Sequence, residues 1–515
     1  MKKTLLAIFL LLVIVSIGKV TSGQDADEPS LDYFPYSQSW PVSTATGTGE
    51  SPYLTHPEFA DIMTTTVTVP AQNTGDGYIF VAAPGQFYGG PSALMILENH
   101  GEPLYIRTVE GDPFVGDFKV QSVDGTDYLT FHAGFLPGGY TFGSSYVLDE
   151  SYELVDSWTI DNGSDLHDFI LLDNGHAIML AYVLIPYDLS PWGGPVDGIL
   201  VDVILQEQDA DKNAVFEWVA TDYMPIEDTH FNLNTTAPVD FLHTNAIEVD
   251  DDGNWLLSHR HFSEITKIDR QTGDIIWRMG GASNEFDFPN DIGFNLQHDI
   301  RRLENGHITI FDNGNFHIPA HTRAIEYAID EVAKTATRFW IYPDDGSEYS
   351  AAMGNFQRLP NGNSFIGWGT QPKVSEVLSD GTLAFEMELG SINYRAFRSP
   401  WNGTPADPPR GVLQYDADPT AVTIYTSWNG ATGITGYDIY AGSSISTMSV
   451  VSNSPRTGFE TMISVTGLPA DTCLFQTKPI HDQGSDTPFS NLMIRVGIPA
   501  CWELLNHSFM PLAAK

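Results

Sequence analysis

The chain has 515 residues, with 24 Lys+Arg against 66 Asp+Glu, a formal net charge of −42. That excess of acid excludes a general nucleic-acid binder, because nothing offsets repulsion from phosphates. Aromatics at 12% and apolar residues at 42% exclude a disordered acidic tail, and two cysteines exclude a disulfide scaffold or a Cys-rich metal site.

Residues 1–23, MKKTLLAIFLLLVIVSIGKVTSG, read as a signal peptide. Lys2 and Lys3 form its basic start, Leu5 to Ile17 its apolar run, and Thr21 and Gly23 its small residues before Gln24. The run falls short of the roughly 18 apolar residues of a spanning helix. The expectation is a secreted protein with no membrane partner after cleavage; a signal anchor is the alternative. Sequons at Asn162, Asn234, Asn402 and Asn506 are candidate glycosylation sites. Residues 24–76 form a polar extension expected to end in a first strand.

From residue 77 to 400 helical periodicity is nearly absent and short alternating runs dominate. One unit recurs: an apolar strand, a Gly turn, a second strand, then a strand holding an aromatic. Its clearest copy runs from Asn245 to Gly281. Turns at Gly125, Gly175, Gly306 and Gly362 have the same form, and Asn-Gly or Asp-Gly pairs suit tight hairpins. The last strands place Tyr105, Trp158, Trp218, Trp277, Trp340 and Met387 at equivalent points, about every 50–60 residues. Six copies of about four strands predict an all-β fold, a six-bladed β-propeller with the aromatics packed between blades.

Residues 401–411, within the Pro-rich SPWNGTPADPPRG, read as a linker. Residues 412–498 alternate like strands, and Trp428, Tyr437 and the GLPADT turn resemble a fibronectin type III sandwich. A tail, 499–515, follows. Cys473 and Cys501 are a candidate disulfide in an oxidising compartment.

Three histidines recur at one place in the repeat: His167 in SDLHDFILLDNG, His243 in DFLHTNAIEVD and His298 in FNLQHDIRRLENG. Arg260, in LLSHRHF, ends the strand after His243. Equivalent points on successive blades converge at a central channel, so these four side chains are expected to meet at one mouth. Three histidines suit tetrahedral zinc. An arginine among them favours an oxyanion instead, with one imidazole as nucleophile and the other groups stabilising a transferring anion.

The stretch from Asp240 to Asn315 (FLHTNAIEVDDDGNWLLSHRHFSEITKIDRQTGDIIWRMGG, then FNLQHDIRRLENGHITIFDNGN) resembles the arylsulfotransferase family. The H-x-N, S-x-R-H, G-x-I-I-W, Q-H-D and F-D-N-G elements, in that order, carry the resemblance, which spans roughly Gly77 to Ser399. It implies a six-bladed propeller that moves a sulfuryl group from an aryl sulfate to a phenol through a sulfo-histidine, with no nucleotide donor and no cofactor or metal. It also implies the roles: His298 as nucleophile, His243 and Arg260 on the sulfate oxygens, and His167 as acid and base at the aryl oxygen. The C-terminal WNGAT…GFET module resembles the tail of fungal members. The bacterial branch carries an N-terminal β-domain and a cysteine pair near its active site; this chain has neither pattern.

Other polar groups have plainer readings. Asp250, Asp251 and Asp252 suit a hairpin turn better than calcium. His317 and His321, with Pro319 between them, read as loop residues. Asp312, Asn313 and Gly314 end a strand and are expected to orient the loop under the site, with no catalytic role. Ser258 and His259 lack a serine-hydrolase context. Two competing functions remain: a noncatalytic propeller that binds sulfated ligands or a protein partner, and a quinone-dependent dehydrogenase. The sequence does not give an oligomeric state.

Overall fold

A computed structural model describes residues 49–111, 113–415, 418, 420–496 and 501. The signal-peptide reading, Asn506 and most of the tail lie outside the described residues.

The described chain is all-β and propeller-like. Six antiparallel sheets follow one another, each with the order inner strand to outer strand. The second sheet runs Phe114–Val123, Thr126–Phe135, Phe142–Leu148 and Leu154–Trp158. The third runs Phe169–Leu171, Ala177–Tyr187, Gly198–Gln208 and Ala214–Val219. The fourth runs Thr244–Val249, Trp255–His259, Glu264–Ile268 and Ile275–Gly280. The fifth runs His298–Arg302, Ile308–Asp312, Arg323–Asp330 and Thr335–Tyr342. The sixth runs Asn355–Arg358, Ser364–Gly367, Lys373–Val377 and Leu383–Leu389, and Thr65–Val69 adds to its outer edge. The first sheet closes the set: Ala396–Ser399 pairs with Tyr78–Ala83, which continues through Ala93–Leu97 and Pro103–Thr108. The hairpin glycines do what their turns require; Gly175 and Gly306 sit at φ +80° and +82°.

Each sheet buries its faces against its neighbours. Trp158, Phe169 and Met179 join the second sheet to the third, and Tyr182, Trp218 and Trp255 the third to the fourth. Trp277, Ile300 and Tyr327 join the fourth to the fifth. Phe311, Phe356 and Trp368 join the fifth to the sixth, and Phe365, Met387 and Val81 the sixth to the first. Phe80 and Phe118 meet edge to face across the first and second sheets, centroids 5.6 Å apart. The repeat positions read from the sequence, Tyr105 through Met387, all fall on the fourth strand of their sheets, outermost in every sheet but the sixth, where Thr65–Val69 lies outside it.

A polar chain runs round the inner strands. Asp168 accepts from the Ile247 amide at 3.1 Å, and Asn245 donates to the Gln297 carbonyl at 2.7 Å. Asp299 accepts from the Phe356 amide at 2.9 Å, and Asn355 exchanges two bonds with the Ala396 backbone at 2.8 and 3.0 Å. Arg395 reaches Asp117 at 3.2 Å, and Lys119 bridges Asp117 and Asp168 at 2.8 and 2.9 Å. Each sheet is therefore tied to the next at the start of its inner strand, beside the candidate histidines. Arg301 and Arg395 complete the balance of these buried carboxylates.

Residues beyond Ser399 lie along the first and second sheets: Trp401 is buried and donates through Nε1 to the Tyr152 hydroxyl at 3.0 Å. A two-sheet sandwich follows. Arg410–Tyr415, Val422–Ser427 and Thr461–Val465 form one sheet; Ser449–Pro455, Ile434–Gly442, Leu474–His481 and Met493–Ile494 form the other. Val422, Ile424, Tyr437, Ile439 and Phe475 fill the space between them. The sandwich docks through Asn429, whose amide pairs with the Ile106 backbone at 2.9 and 2.8 Å, and through Arg456 on Glu98. Cys473 and Cys501 are joined in a disulfide.

Candidate functional site

His167, His243 and His298 stand at the starts of the inner strands of the third, fourth and fifth sheets, and all three are buried. Tight backbone turns aim them. His243 has φ +52° and Asp299, after His298, φ +59°. Both lie in the left-handed region that non-glycine residues rarely adopt, a kind of strain that collects at functional sites.

The rings of His167 and His243 meet edge to face at 4.8 Å, and His261 stacks on His243 at 4.6 Å. Arg260 lies close enough to both His243 and His298 to disfavour their protonation, and its Nη2 donates to the Ala351 carbonyl at 3.1 Å. The four residues picked from the sequence are thus brought together.

Each ring is held by Nδ1. His167 Nδ1 donates to the Asp165 carboxylate, which also accepts from the Thr141 amide at 2.6 Å. His243 Nδ1 donates to Asp240 Oδ2 at 2.6 Å. His298 Nδ1 donates to Asn313 Oδ1, also at 2.6 Å. Chemistry at all three imidazoles therefore falls to Nε2. Asp165, Asp240 and His261 were missed in the sequence. For the two acids a signal existed, since each precedes its histidine by two or three residues. Asn313, expected only to orient the loop under the site, sits against the central imidazole, because the strand Ile308–Asp312 pairs with His298–Arg302 and ends beside it.

Burial pushes His298 well below the usual imidazole range, and Arg260 pushes the same way; the bond to Asn313 only partly opposes them. Burial also lowers His243, against the pull of Asp240. Burial drives His261 down to about 3, with His243 adding to it. For Asp165 and Asp240 burial acts upward, but the bonded histidines outweigh it and hold both carboxyls below their ordinary value. Burial thus favours the neutral forms of His298, His243 and His261, beside one guanidinium. In a chain with 66 acidic residues, Arg260 forms no ion pair among the described residues.

Asp240, His243 and His261 present three ligand atoms within 4.8 Å of one another. The Nδ1 atoms of both rings are already engaged by Asp240, through its carboxylate and its carbonyl. With Arg260 adjacent, the donor set suits an anion better than a cation. On the rim, Phe231 packs on His261 at 3.9 Å and Phe316 on His230 at 5.1 Å; both phenylalanines are about half exposed. The remaining residues singled out from sequence lie elsewhere. Asp250 and Asp252 bind Lys267 on a hairpin turn. His317 bonds Asp312 at 2.8 Å from a loop, and His259 bonds Thr244 at 2.9 Å inside the fourth sheet. Asn162, Asn234 and Asn402 are exposed on loops.

The fold is thus propeller-like, with three histidines at the starts of inner strands and Arg260 in the turn after a second strand. Residues 119–390 match the family Arylsulfotransferase (ASST), more than half of the chain, and the chain belongs to the arylsulfotransferase family. Membership implies an arylsulfotransferase-type enzyme acting broadly on aryl sulfates and phenols. No curated protein matches the sequence. Among solved structures, a protein of unknown function from Bacteroides caccae is similar at 11% identity and a TM-score of 0.40, over 63% of this chain and 98% of that one. A virginiamycin B lyase from Staphylococcus aureus is similar at 12% identity and a TM-score of 0.29, over 71% and 96%.

Proposed function

We propose that the protein is a secreted arylsulfate sulfotransferase, a six-bladed propeller with a fibronectin type III-like C-terminal module, working through a sulfo-histidine on His298. The observation that carries this reading is the convergence of three imidazoles, each held at Nδ1, beside an arginine without an ion pair among the described residues. A sulfate ester supplies the missing anion.

In the first half-reaction the Nε2 lone pair of His298 attacks sulfur and forms the N–S bond. The S–O bond to the aryl group breaks, its electron pair leaves on the aryl oxygen, and His167, entering as an imidazolium with its second proton on Nε2, delivers that proton there. Arg260 holds the sulfuryl oxygens as charge shifts, joined by His243 when its Nε2 carries a proton. In the second half a phenol oxygen attacks sulfur, its proton passes to His167, and the N–S pair returns to Nε2. Phe231 and Phe316 offer faces for the aryl groups. No nucleotide or cofactor takes part in these steps.

The cyclic order of six sheets supports the propeller count. The strand pairing of the sandwich, three strands against four, supports the fibronectin-like module and with it the fungal-like branch. The disulfide supports an oxidising compartment, and the three exposed sequons support glycosylation there. The test is release of 4-nitrophenol from its sulfate ester, dependent on an added phenol and with no nucleotide. Tight binding of the ester without release would favour the noncatalytic alternative.

A further inference from the structure

The third imidazole differs from the other two in what holds it. His167 and His243 lean on carboxylates, but His298 leans on the amide of Asn313. Asn313 is fully buried, and its orientation is fixed by its surroundings. Its Nδ2 donates to the carbonyls of Ser350 at 2.9 Å and Met353 at 3.0 Å, groups that can only accept. Its Oδ1 must then face His298 Nδ1, which must carry the hydrogen. The opposite edge agrees: the Met353 amide donates to His298 Nε2 at 3.2 Å, so that nitrogen carries its lone pair, which this bond must release before it attacks sulfur.

We infer that Asn313 is a positioning residue that fixes the Nδ1–H tautomer of His298 and, by being an amide and not a carboxylate, keeps the sulfuryl group easy to pass on. This rests on the sulfo-histidine reading. Once sulfur is bound at Nε2, with Nδ1 still protonated, the ring carries positive charge. A carboxylate at Nδ1 would stabilise that charge and strengthen the N–S bond against the second step, in which the bond's electron pair returns to Nε2. A neutral amide orients the ring without doing so. A carboxylate there would also raise the proton affinity of the free imidazole. The groups that face His298, namely Arg260, His243 and His167, all act in the opposite sense.

The test is Asn313→Asp in the full chain, followed by rapid mixing with 4-nitrophenyl sulfate and then a phenol. The first phase should survive at alkaline pH, as a burst of about one 4-nitrophenol per enzyme. The second phase should slow by about tenfold or more, so that sulfo-enzyme accumulates. The acid limb of the rate profile should move up by about one to three pH units, the usual effect of a close opposite charge. Equal loss in both phases with an unmoved pH profile would show a merely structural role and overturn the assignment. A wild-type protein that releases no 4-nitrophenol would instead remove the sulfotransferase reading beneath it. Imidazole nitrogen NMR of the unsubstituted protein gives a second check: the Nδ1–H form of His298 is expected, and the Nε2–H form would overturn the proposal.

Discussion

The imidazoles of His167 and His243, carried by consecutive sheets, meet edge to face with their centroids 4.8 Å apart and their planes at 81°. Asp165 behind one and Asp240 behind the other hold the pair from opposite sequence neighbourhoods. Their Nε2 atoms divide the work, one at the aryl oxygen and one at the sulfuryl oxygens. His167→Ala should therefore lower kcat/KM by about 10²–10⁴ for phenyl sulfate and much less for 4-nitrophenyl sulfate, whose phenolate leaves without a proton. A series of leaving groups measures this; an equal loss across the series would rule out proton delivery by His167.

Among the described residues, Arg260 is the guanidinium whose charge bears on both His243 and His298. Arg260→Ala should reduce turnover by roughly 10²–10³, the usual cost of one preorganised oxyanion donor. Steady-state kinetics on 4-nitrophenyl sulfate decide it, and a change confined to KM would show that Arg260 serves only ground-state binding.

The buried ring of charges behind the histidines makes a separate demand on stability. Arg395 is fully buried and faces Asp117 at 3.2 Å, Asp168 at 3.3 Å and Asp299 at 3.6 Å. Arg395→Met leaves three buried carboxylates to Lys119 and Arg301, and should cost about 3–5 kcal/mol. Urea unfolding monitored by tryptophan fluorescence measures it; an unchanged midpoint would mean that the ring ties the sheets together only weakly.

Buried neutral histidines set the response to acid. Burial lowers His132 to about 4, and lowers His259 and His261 to about 3, all from 6.5. Below 6.5 the unfolded chain takes up protons that these rings refuse, so stability falls with pH and levels off below the folded values. Glu248, raised by burial to about 7, opposes this, because the folded state binds its proton first. Three histidines outweigh one carboxyl, so the urea midpoint should fall from about pH 6.5 toward pH 4. A midpoint that rises over that range would contradict the assignment of these rings as neutral.

What the sequence displayed follows from which forces act locally. Trp158, Trp218 and Trp277 recur because each sheet must bury its outer strand against a neighbour, and that demand repeats with the sheet. The three histidines were visible because the inner strands repeat as well. The polar chain also left a trace, in VGDFKV, LHDFIL, HTNAIE, QHDIRR, GNFQR and YRAFR, where Asp, Asn or Arg precedes an apolar residue each time. It escaped notice because its letters vary while its place does not. The contact of Asn313 with His298 was hidden for another reason. Its role depends on the carbonyls of Ser350 and Met353 and on His298, partners that only the packed fifth and sixth sheets assemble. The closing pairing of Ala396–Ser399 with Tyr78–Ala83 was equally unreadable, since no local pattern marks a partner so distant in the chain.

The central claim is that sulfur passes through His298. The most direct measurement is to mix the protein with radiolabelled 4-nitrophenyl sulfate, without acceptor, and locate the label by peptide mapping under alkaline conditions. The account expects one acid-labile label, on the peptide that contains His298, chased off by added phenol and absent from His298→Asn. Label on a different residue, or an equal label retained by His298→Asn, would contradict it.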